Sequence, residues 1–280
     1  MQELERPVWL KKRINCTTDF SFTKSVVREF GLNTVCQSAL CPNIFDCFSK
    51  RAATFLILGN ICTRRCAFCF VGKGPPERQD ANEPHKIAEA VFMLGLRRVV
   101  ITSVTRDDLK DGGAGHFVMT VEAIRGRMGT EAQIEVLVPD FQGNKPDIIR
   151  AAASGADIFS HNVETVPRLY ASIRPEADYK RSLDVLRFAK GFDKGLTTKS
   201  AIMLGLGEGL REVVGVMEDL RLAGCDIMAI GQYLRPSADQ VQVRKFIEPG
   251  IFERLKKIGY ELGFKNVYSG PFVRSSYKED

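Results

Sequence analysis

The chain has 280 residues, 44% of them hydrophobic, which suits one large α/β barrel or two ordinary domains. Its formal charge of +6 is modest and its Lys and Arg residues are spread along the chain, so we predict no nucleic-acid partner, while a mildly basic face for an acidic protein stays open. The segment 1–13 is too charged for a signal sequence, and no apolar run approaches the roughly 18 residues that span a bilayer. We therefore expect a cytoplasmic protein with no membrane partner.

From Arg51 onward, short apolar runs rich in β-branched residues alternate with helical patterns, which is typical of repeated βα units and a parallel sheet. The predicted strands are 54–58, 98–102, 134–138, 157–161, 200–204 and 227–230. The predicted helices are 84–94, 116–127, 146–153, 178–190, 210–223 and 248–263. Six such units favour an α/β fold with a partial (βα)6 TIM-like barrel.

We divide the chain into three regions. Residues 1–50 form an N-terminal extension, 51–247 the partial barrel, and 248–280 a C-terminal helix and tail. No fixed-period repeat or low-complexity linker is present. Nothing in the sequence demands more than a monomer.

Six of the eight cysteines form two triplets within the 34 residues from Cys36 to Cys69. In a reducing compartment such a group indicates metal binding or catalysis more than disulfides. Each triplet is one ligand short of a four-coordinate site, and an open fourth position suits chemistry at the metal. The triplets are Cys36, Cys41 and Cys47, and then Cys62, Cys66 and Cys69.

The second triplet directly follows the first predicted strand, and in parallel βα folds the loops at the carboxyl ends of strands carry the active site. Three thiolates there would hold three irons of a [4Fe-4S] cluster and leave the fourth iron open. A zinc site is the alternative, but it lacks a nearby fourth ligand, since His85 is 16 residues beyond Cys69.

The spacing Cys-x3-Cys-x2-Cys, with Phe68 before the last cysteine, resembles the signature of radical S-adenosylmethionine (SAM) enzymes. The resemblance implies that SAM binds the open iron through its amino and carboxylate groups. It also implies that electron transfer then cleaves SAM to a 5′-deoxyadenosyl radical. In such enzymes the cofactor supplies the hard chemistry, and the protein orients it and excludes water.

The first triplet narrows the resemblance to the lipoyl synthase family, over nearly the whole chain. The similar segments are 36–47, Ala-Thr-Phe-Leu-Ile-Leu-Gly at 53–59, 100–108, 111–116, 161–170, Gly-Gln-Tyr at 231–233 and Arg-Ser-Ser-Tyr at 274–277. Phe70 stands where a small residue is common in the family.

This resemblance implies insertion of two sulfur atoms, at carbons 6 and 8 of an octanoyl chain attached to a lysine of a carrier domain. It implies two [4Fe-4S] clusters. The cluster on Cys36, Cys41 and Cys47 would be the sulfur donor, with a serine of Arg-Ser-Ser-Tyr as its fourth ligand. We predict Ser276 over Ser275 because Ser276 is next to Tyr277. A serine oxygen would leave iron more readily than a thiolate when the cluster is dismantled.

Further residues are candidates for SAM binding beside Phe68. Asn162 and Glu164 follow the fourth predicted strand and are placed to hydrogen-bond a ribose. Arg174 and Lys199 could meet the cofactor carboxylate, although a structural ion pair is equally compatible with each. The fifth strand is followed by Gly205, Gly207 and Glu208, where glycines would allow a close approach of the backbone or simply form a turn.

The implied partners are octanoylated lipoyl carrier domains, namely the acyltransferase subunits of 2-oxo acid dehydrogenases and the glycine cleavage H protein. An electron donor and a carrier that rebuilds the consumed cluster are also implied. The alternatives are another dual-cluster radical SAM enzyme that inserts sulfur, and a non-catalytic iron–sulfur or zinc scaffold.

Other reactive or aromatic residues are interpreted as structural. Radical abstraction needs no general base at carbon, so His116 and His161 are predicted to be structural. Cys16 and Cys225 lack a spaced partner and are predicted to be small buried hydrophobes. Four phenylalanines recur at core spacing and are predicted to pack inside: Phe55, Phe92, Phe117 and Phe159.

Anaerobic reconstitution with iron and sulfide tests the two-cluster prediction. We expect about eight irons per chain and charge-transfer absorbance near about 400 nm, because each triplet would hold one [4Fe-4S] cluster. Iron and acid-labile sulfide assays give the stoichiometry. Uptake of zinc alone would contradict an enzymatic role.

Overall fold

The computed structural model describes residues 4–12, 14 and 16–276. These fall into two compact units. The N-terminal unit comprises 14, 16–64 and 70–159, and the C-terminal unit comprises 4–12, 65–69 and 160–276.

The N-terminal unit begins with three helices and continues with βα units. Its helices are α1 (Thr18–Glu29), α2 (Val35–Ser38), α3 (Ile44–Ser49), α4 (Glu83–Leu94), α5 (Ala114–Met128) and α6 (Lys145–Ala152). Its strands are β1 (Thr54–Ile57), β2 (Ile61–Cys62), β3 (Gly72–Lys73), β4 (Arg98–Ser103) and β5 (Gln133–Leu137). Strand β4 pairs in parallel with β1 on one side and β5 on the other, while β2 and β3 form a separate small sheet.

The C-terminal unit continues the βα pattern after β6 (Ile158–Ser160), the strand at which the chain passes from one unit to the other. Its helices are α7 (Tyr170–Ile173), α8 (Tyr179–Phe192), α9 (Leu210–Leu222) and α10 (Pro249–Glu261). Its strands are β7 (Thr197–Leu204), β8 (Ile227–Gln232) and β9 (Asn266–Gly270). Strand β8 pairs in parallel with both β7 and β9, and the order of the main sheet is β1-β4-β5-β6-β7-β8-β9.

Local signals explain the element ends. Helix α4 has Pro84 in its first turn, and Gly95 caps its carboxyl end. The φ of 65° at Gly95 is a left-handed conformation that glycine adopts without steric cost. Helix α8 begins after Asp178, whose carboxylate accepts from the backbone N–H of Arg181 at 2.7 Å. Within the described part of the chain, no helix combines the length and apolar character needed to cross a membrane.

The predicted α/β class with a partial TIM-like barrel is confirmed, and all six predicted strands are present. Strand β9 was not predicted. It lies in the segment expected to be a tail, where Val267 is buried and α10 connects it to β8. The sheet therefore has seven strands.

A close backbone approach joins β8 to the tail. A Cβ on Gly231 would lie 2.0 Å from the carbonyl oxygen of Val273, so only glycine fits there. Val273 is buried against Ala201 and Ala229, and its backbone N–H donates to Gly270 at 3.1 Å. Strand β8 thus determines the path of residues 271–274.

Replacing Gly231 with alanine should displace this segment and lower the free energy of unfolding by about 1–3 kcal/mol, because the added methyl group meets backbone. Urea unfolding measures the effect. Gly215→Ala is the matched control, since a Cβ at Gly215 in α9 meets no described atom within 4 Å, and it should stabilise the protein by about 0.5–1 kcal/mol. Equal stability of Gly231→Ala and the parent protein would contradict the proposed fit.

Candidate cluster and cofactor sites

The chain leaves β1 through a strained turn that leads to Cys62. Leu58 has a φ of 67°, and its backbone N–H donates to Glu83 at 2.8 Å while its carbonyl accepts from Arg106 at 3.2 Å. The same Glu83 oxygen lies 2.8 Å from Nε2 of buried His116. His116 therefore supports a turn, in agreement with its predicted structural role.

Cys62 ends β2, and its thiol is half-buried. Its carbonyl accepts from the backbone N–H of Gly74 at 3.2 Å, and its Sγ accepts from that of Arg64 at 3.4 Å. A Cβ on Gly72 would lie 2.7 Å from Ile61, so β3 packs closely against β2. These contacts hold Cys62 within the N-terminal unit.

Cys66 and Cys69 belong to the C-terminal unit, where short backbone contacts shape residues 66–69. The backbone N–H of Cys69 donates to Cys66 at 3.2 Å. Ala67 donates to Ile173 and accepts from Val241, each at 2.9 Å. The segment is thus held by backbone hydrogen bonds to two parts of this unit.

Phe68 packs against a small apolar cluster of Ile173, Leu206 and Tyr233. The Tyr233 hydroxyl donates to the carbonyl of Val241 at 2.8 Å. Burial raises the pKa of Tyr233 above its ordinary value, so this side chain stays neutral and anchors the segment that covers Ala67. The side chain of Phe68 therefore helps to place the two cysteines beside it.

The first triplet lies where α2 and α3 meet β1. Cys36 is in α2, Cys47 is in α3, and Cys41 lies in the turn between them, donating its backbone N–H to Cys36 at 3.1 Å. Thr34 caps α2 and bridges to Phe55 of β1. Three cysteines that are separated along the chain are thus brought to one end of β1.

The thiols of the first triplet act on one another. The hydrogen bond between Cys36 and Cys47 lowers the pKa of Cys36 against the effect of burial. It raises the pKa of Cys47, as do burial and the charges of Cys36 and Cys41. The thiols of Cys36, Cys41 and Cys47 are therefore close enough to interact, and metal binding would displace the protons that they carry.

In residues 4–12, 14 and 16–276, no three side chains of His, Cys, Asp or Glu converge on one point as a ready site for a single metal ion. A [4Fe-4S] cluster makes a different demand, because each cysteine binds a different iron. Cys36, Cys41 and Cys47 provide three such ligands near one another.

The predicted serine ligands follow the segment held by Gly231. Arg274 donates to the carbonyls of Val273 and Pro271, at 2.6 and 3.4 Å, and so closes a turn just before the serines. Ser275 and Ser276 are half-buried in the C-terminal unit, and Tyr277 lies outside the described residues. The assignment of Ser276 to the first triplet stays a prediction.

Three of the predicted SAM contacts come together in the C-terminal unit. Asn162 donates to Glu164 at 3.1 Å, and Arg174 donates to the backbone carbonyls of Asn162 and Val163 at 3.0 and 3.2 Å. The Oδ1 of Asn162 is buried and accepts no hydrogen bond from any described residue. A buried acceptor of this kind fits a hydroxyl donor on a bound ligand.

Glu164 is half-buried and has a left-handed backbone conformation, with a φ of 65°. Burial raises its pKa above the ordinary value, opposed by the charge of Arg174 and the hydrogen bond from Asn162. Lys199 lies on β7 and is 2% exposed, so it belongs to the interior of this unit.

The turn after β7 has a structural explanation. Glu208 accepts from the backbone N–H groups of Gly205 and Leu206, at 2.5 and 2.9 Å, and burial raises its pKa. A Cβ on Gly205 would lie 2.2 Å from the Gln232 amide and 2.5 Å from the carbonyl of Lys245. The space beside Gly205 is therefore filled by the chain itself, whereas Gly207 has only Arg244 nearby, at 3.6 Å.

Gln232 has a structural role that its sequence pattern does not predict. The Gln232 amide donates to the carbonyls of Leu204 and Lys245, at 3.1 and 3.0 Å, and its oxygen accepts from Ile247. Gln232 thus closes the loop after β8 onto β7. Nothing in the spacing of these residues along the chain signals this contact.

Residues 56–220 match the family model of the radical SAM superfamily. Over 277 residues the chain is 53% identical to a lipoyl synthase from Caldanaerobacter subterraneus subsp. tengcongensis, covering 99% of this chain and 96% of that protein. The chain belongs to the lipoyl synthase family within the radical SAM superfamily. It is also 50% identical to a lipoyl synthase from Caldicellulosiruptor saccharolyticus, over 99% of this chain and 97% of that protein.

Among solved structures, this family member resembles HydG, a maturase of the [FeFe]-hydrogenase, with a TM-score of 0.61 and 11% identity. The match covers 89% of this chain and 63% of that one. At this identity the likeness concerns the fold alone, and it agrees with the βα architecture. Membership of the superfamily implies SAM and a [4Fe-4S] cluster as cofactors.

The raised pKa of Glu164 predicts a pH dependence of stability. Above its unfolded pKa of about 4.3, the folded protein binds more protons at this carboxyl than the unfolded chain, so stability falls as pH rises toward the folded pKa. Glu164→Gln should remove this contribution and flatten the pH dependence. Urea unfolding of the metal-free protein from about pH 5 to about pH 8 measures it.

Glu212→Gln is the control. Arg168 lowers the pKa of Glu212 to about 2, so this carboxyl is ionised in both states across the measured range and its removal leaves the pH slope unchanged. If stability changed with pH equally in the wild type and in Glu164→Gln, the pKa of Glu164 would be the same in the folded and unfolded states, and the prediction would be wrong.

Proposed function

We propose that this member of the family inserts two sulfur atoms into a protein-bound octanoyl chain, at carbons 6 and 8. Two C–H bonds would be broken, with each hydrogen passing to a 5′-deoxyadenosyl radical from one SAM, and two C–S bonds would be formed with sulfur from the auxiliary cluster, giving the lipoyl group. The observation that carries this proposal is the 53% identity to a lipoyl synthase over 99% of the chain. The first triplet, Cys36, Cys41 and Cys47, adds chemical support, because a sulfur donor is needed in addition to a radical source.

Cys62, Cys66 and Cys69 would hold the radical SAM cluster, which would supply hydrogen abstraction when loaded with SAM. Residues 66–69 are supported by Ile173 and Val241, and Phe68 packs on the apolar cluster beside them. Such support keeps the thiolates in place when metal binds.

The polar groups after β6 would hold SAM. Asn162 offers a buried acceptor to a ribose hydroxyl, and Glu164 lies within hydrogen-bond reach of Asn162. Arg174 and Lys199 would provide positive charge for the methionine carboxylate, and Gly207 leaves open backbone in the turn after β7. Gly205 and Glu208 shape that turn.

Cys36, Cys41 and Cys47 would hold the auxiliary [4Fe-4S] cluster, with Ser276 as the fourth ligand and the cluster as the sulfur donor. The interactions among the thiols of Cys36, Cys41 and Cys47 support their grouping as ligands of one cluster. The half-buried position of Ser276 after the Arg274 turn is compatible with a ligand.

The partners would be octanoylated lipoyl carrier domains, on acyltransferase subunits of 2-oxo acid dehydrogenases and on the glycine cleavage H protein. An electron donor and a carrier that rebuilds the auxiliary cluster complete the cycle. Thiol-rich clusters of this type need a reducing environment, so we place the protein in the cytoplasm.

Incubating the reconstituted, reduced enzyme with SAM and an octanoyl-lysyl peptide tests the assignment. We expect 5′-deoxyadenosine together with a peptide that gains two sulfur atoms, measured by mass spectrometry. SAM cleavage without sulfur in the peptide would leave the radical assignment standing and remove the lipoyl assignment.

Ser276→Ala separates the two clusters. It should retain SAM cleavage and lose at least about tenfold in sulfur insertion, because the auxiliary cluster loses its oxygen ligand. Ser275→Ala is the matched control and should insert sulfur normally. Unchanged insertion by Ser276→Ala with loss in Ser275→Ala would move the ligand to Ser275.

A further inference from the structure

One ion-pair network in the N-terminal unit lies inside the cysteine loop and plays no part in the function proposed above. Arg64 stands between Cys62 and Cys66 in the sequence, yet it is buried, whereas its neighbour Arg65 is exposed. An arginine side chain is expected to face solvent unless acidic groups pair with it.

The Arg64 guanidinium binds two carboxylates at once. Its Nε and one terminal nitrogen donate to Asp107, at 2.7 and 2.9 Å. Both terminal nitrogens donate to Asp140, at 2.9 and 2.6 Å. These four hydrogen bonds to Asp107 and Asp140 compensate the buried charge of Arg64.

The two carboxylates come from the loops that follow neighbouring strands. Asp107 lies after β4, and Asp140 lies after β5 and is itself fully buried. Asp140 also accepts from the backbone N–H of Gln142 at 3.1 Å, which holds it in place. One planar side chain therefore ties the cysteine loop to the carboxyl ends of β4 and β5.

The ties continue along the backbone toward Cys62. The Thr63 backbone N–H and hydroxyl both donate to the carbonyl of Thr105, at 3.1 and 3.0 Å, and that hydroxyl accepts from Asp107 at 3.2 Å. The Arg64 backbone N–H donates to the Cys62 sulfur at 3.4 Å. The position of the Cys62 thiol is thus coupled to the position of the Arg64 side chain.

We propose that Arg64 is a positioning residue that holds the Cys62 thiolate ready for the radical cluster by binding Asp107 and Asp140 simultaneously. This inference rests on the assignment of Cys62 to that cluster. Arg64 touches neither substrate nor SAM in this scheme. It acts through the backbone of Thr63 and Arg64, and its backbone N–H would also serve as a hydrogen-bond donor to a cluster ligand, one of the factors that tune an iron–sulfur centre.

The first test measures how fast N-ethylmaleimide labels each thiol in the full-length protein before reconstitution, resolved by peptide mass spectrometry. Arg64→Gln should speed labelling of Cys62 by about tenfold or more, because it leaves Asp107 and Asp140 without their charge partner and releases the cysteine loop from them. Labelling of Cys225, which is fully buried in the C-terminal unit, should not change. Arg65→Gln, one residue away and exposed, is the matched control and should label like the wild type.

Two further variants keep the test decisive if Arg64→Gln folds poorly. Arg64→Lys keeps the charge but cannot form both forked pairs, and Asp107→Asn keeps the pair with Asp140, so both should give intermediate Cys62 rates. Equal acceleration of Cys62 and Cys225 would indicate general unfolding and overturn the positioning role. Wild-type Cys62 rates in Arg64→Gln and Arg64→Lys would overturn it as well.

A second readout uses the reconstituted, reduced enzyme. In the wild type, adding SAM should change the electron paramagnetic resonance spectrum of the radical cluster. That change should weaken in Arg64→Gln and persist in Arg65→Gln. If SAM did not change the spectrum of the wild type, the assignment of Cys62, Cys66 and Cys69 to the radical cluster would be wrong. The ratio of the Cys62 and Cys225 labelling rates would still test the role of Arg64.

Discussion

The first triplet and Cys62 both depend on how the short strand β1 is held. On one side β1 pairs with β4, and on the other side the backbone N–H of Leu56 donates to Asn33 at 2.9 Å, next to the bridge from Thr34 to Phe55. The outer edge of the strand is thereby covered by the segment that leads into α2 and Cys36. At its carboxyl end, Glu83 and Arg106 hold the turn toward Cys62. The four buried residues of β1 thus support the first triplet along the strand and Cys62 beyond its end.

Glu83, Arg106 and His116 around that turn are buried, so each needs a polar partner. Glu83 contacts His116 and Leu58, and Arg106 binds Asp108 through three hydrogen bonds between 2.9 and 3.2 Å. Removing one partner would leave a buried group with no compensation, at a cost of about 1–3 kcal/mol. Such a network is less stabilising than an apolar core of the same size, but it specifies one direction for the chain. A cluster loop needs that precision more than it needs extra stability.

Sequence patterns predicted the strands because buried parallel strands are rich in β-branched residues, as at Ile134 and Ile158. They were wrong where tertiary contacts determine whether a side chain is buried. Phe92, predicted to be in the core, is 47% exposed and lies under the Arg127 guanidinium, and Cys16, also predicted to be buried, is exposed. The prediction that Cys225 is buried is confirmed. The partners of Arg64 lie 43 and 76 residues away, so no local spacing could reveal them. The cysteine roles came from spacing and family resemblance together.

The contacts also rank the residues expected to meet SAM. Arg174 is held by two backbone carbonyls and the Tyr170 hydroxyl, so part of its binding capacity shapes the loop after β6. Both carboxylate oxygens of Glu208 accept from its own turn. Asn162 differs, because its amide N–H is bound to Glu164 while its buried oxygen accepts from no described residue. A buried acceptor without a donor lowers the stability of the free protein. A hydrogen bond from SAM to Asn162 should therefore contribute more binding free energy than one to a group that must first break internal hydrogen bonds. Asn162 is therefore the residue in this set whose contribution to SAM affinity should exceed its contribution to folding.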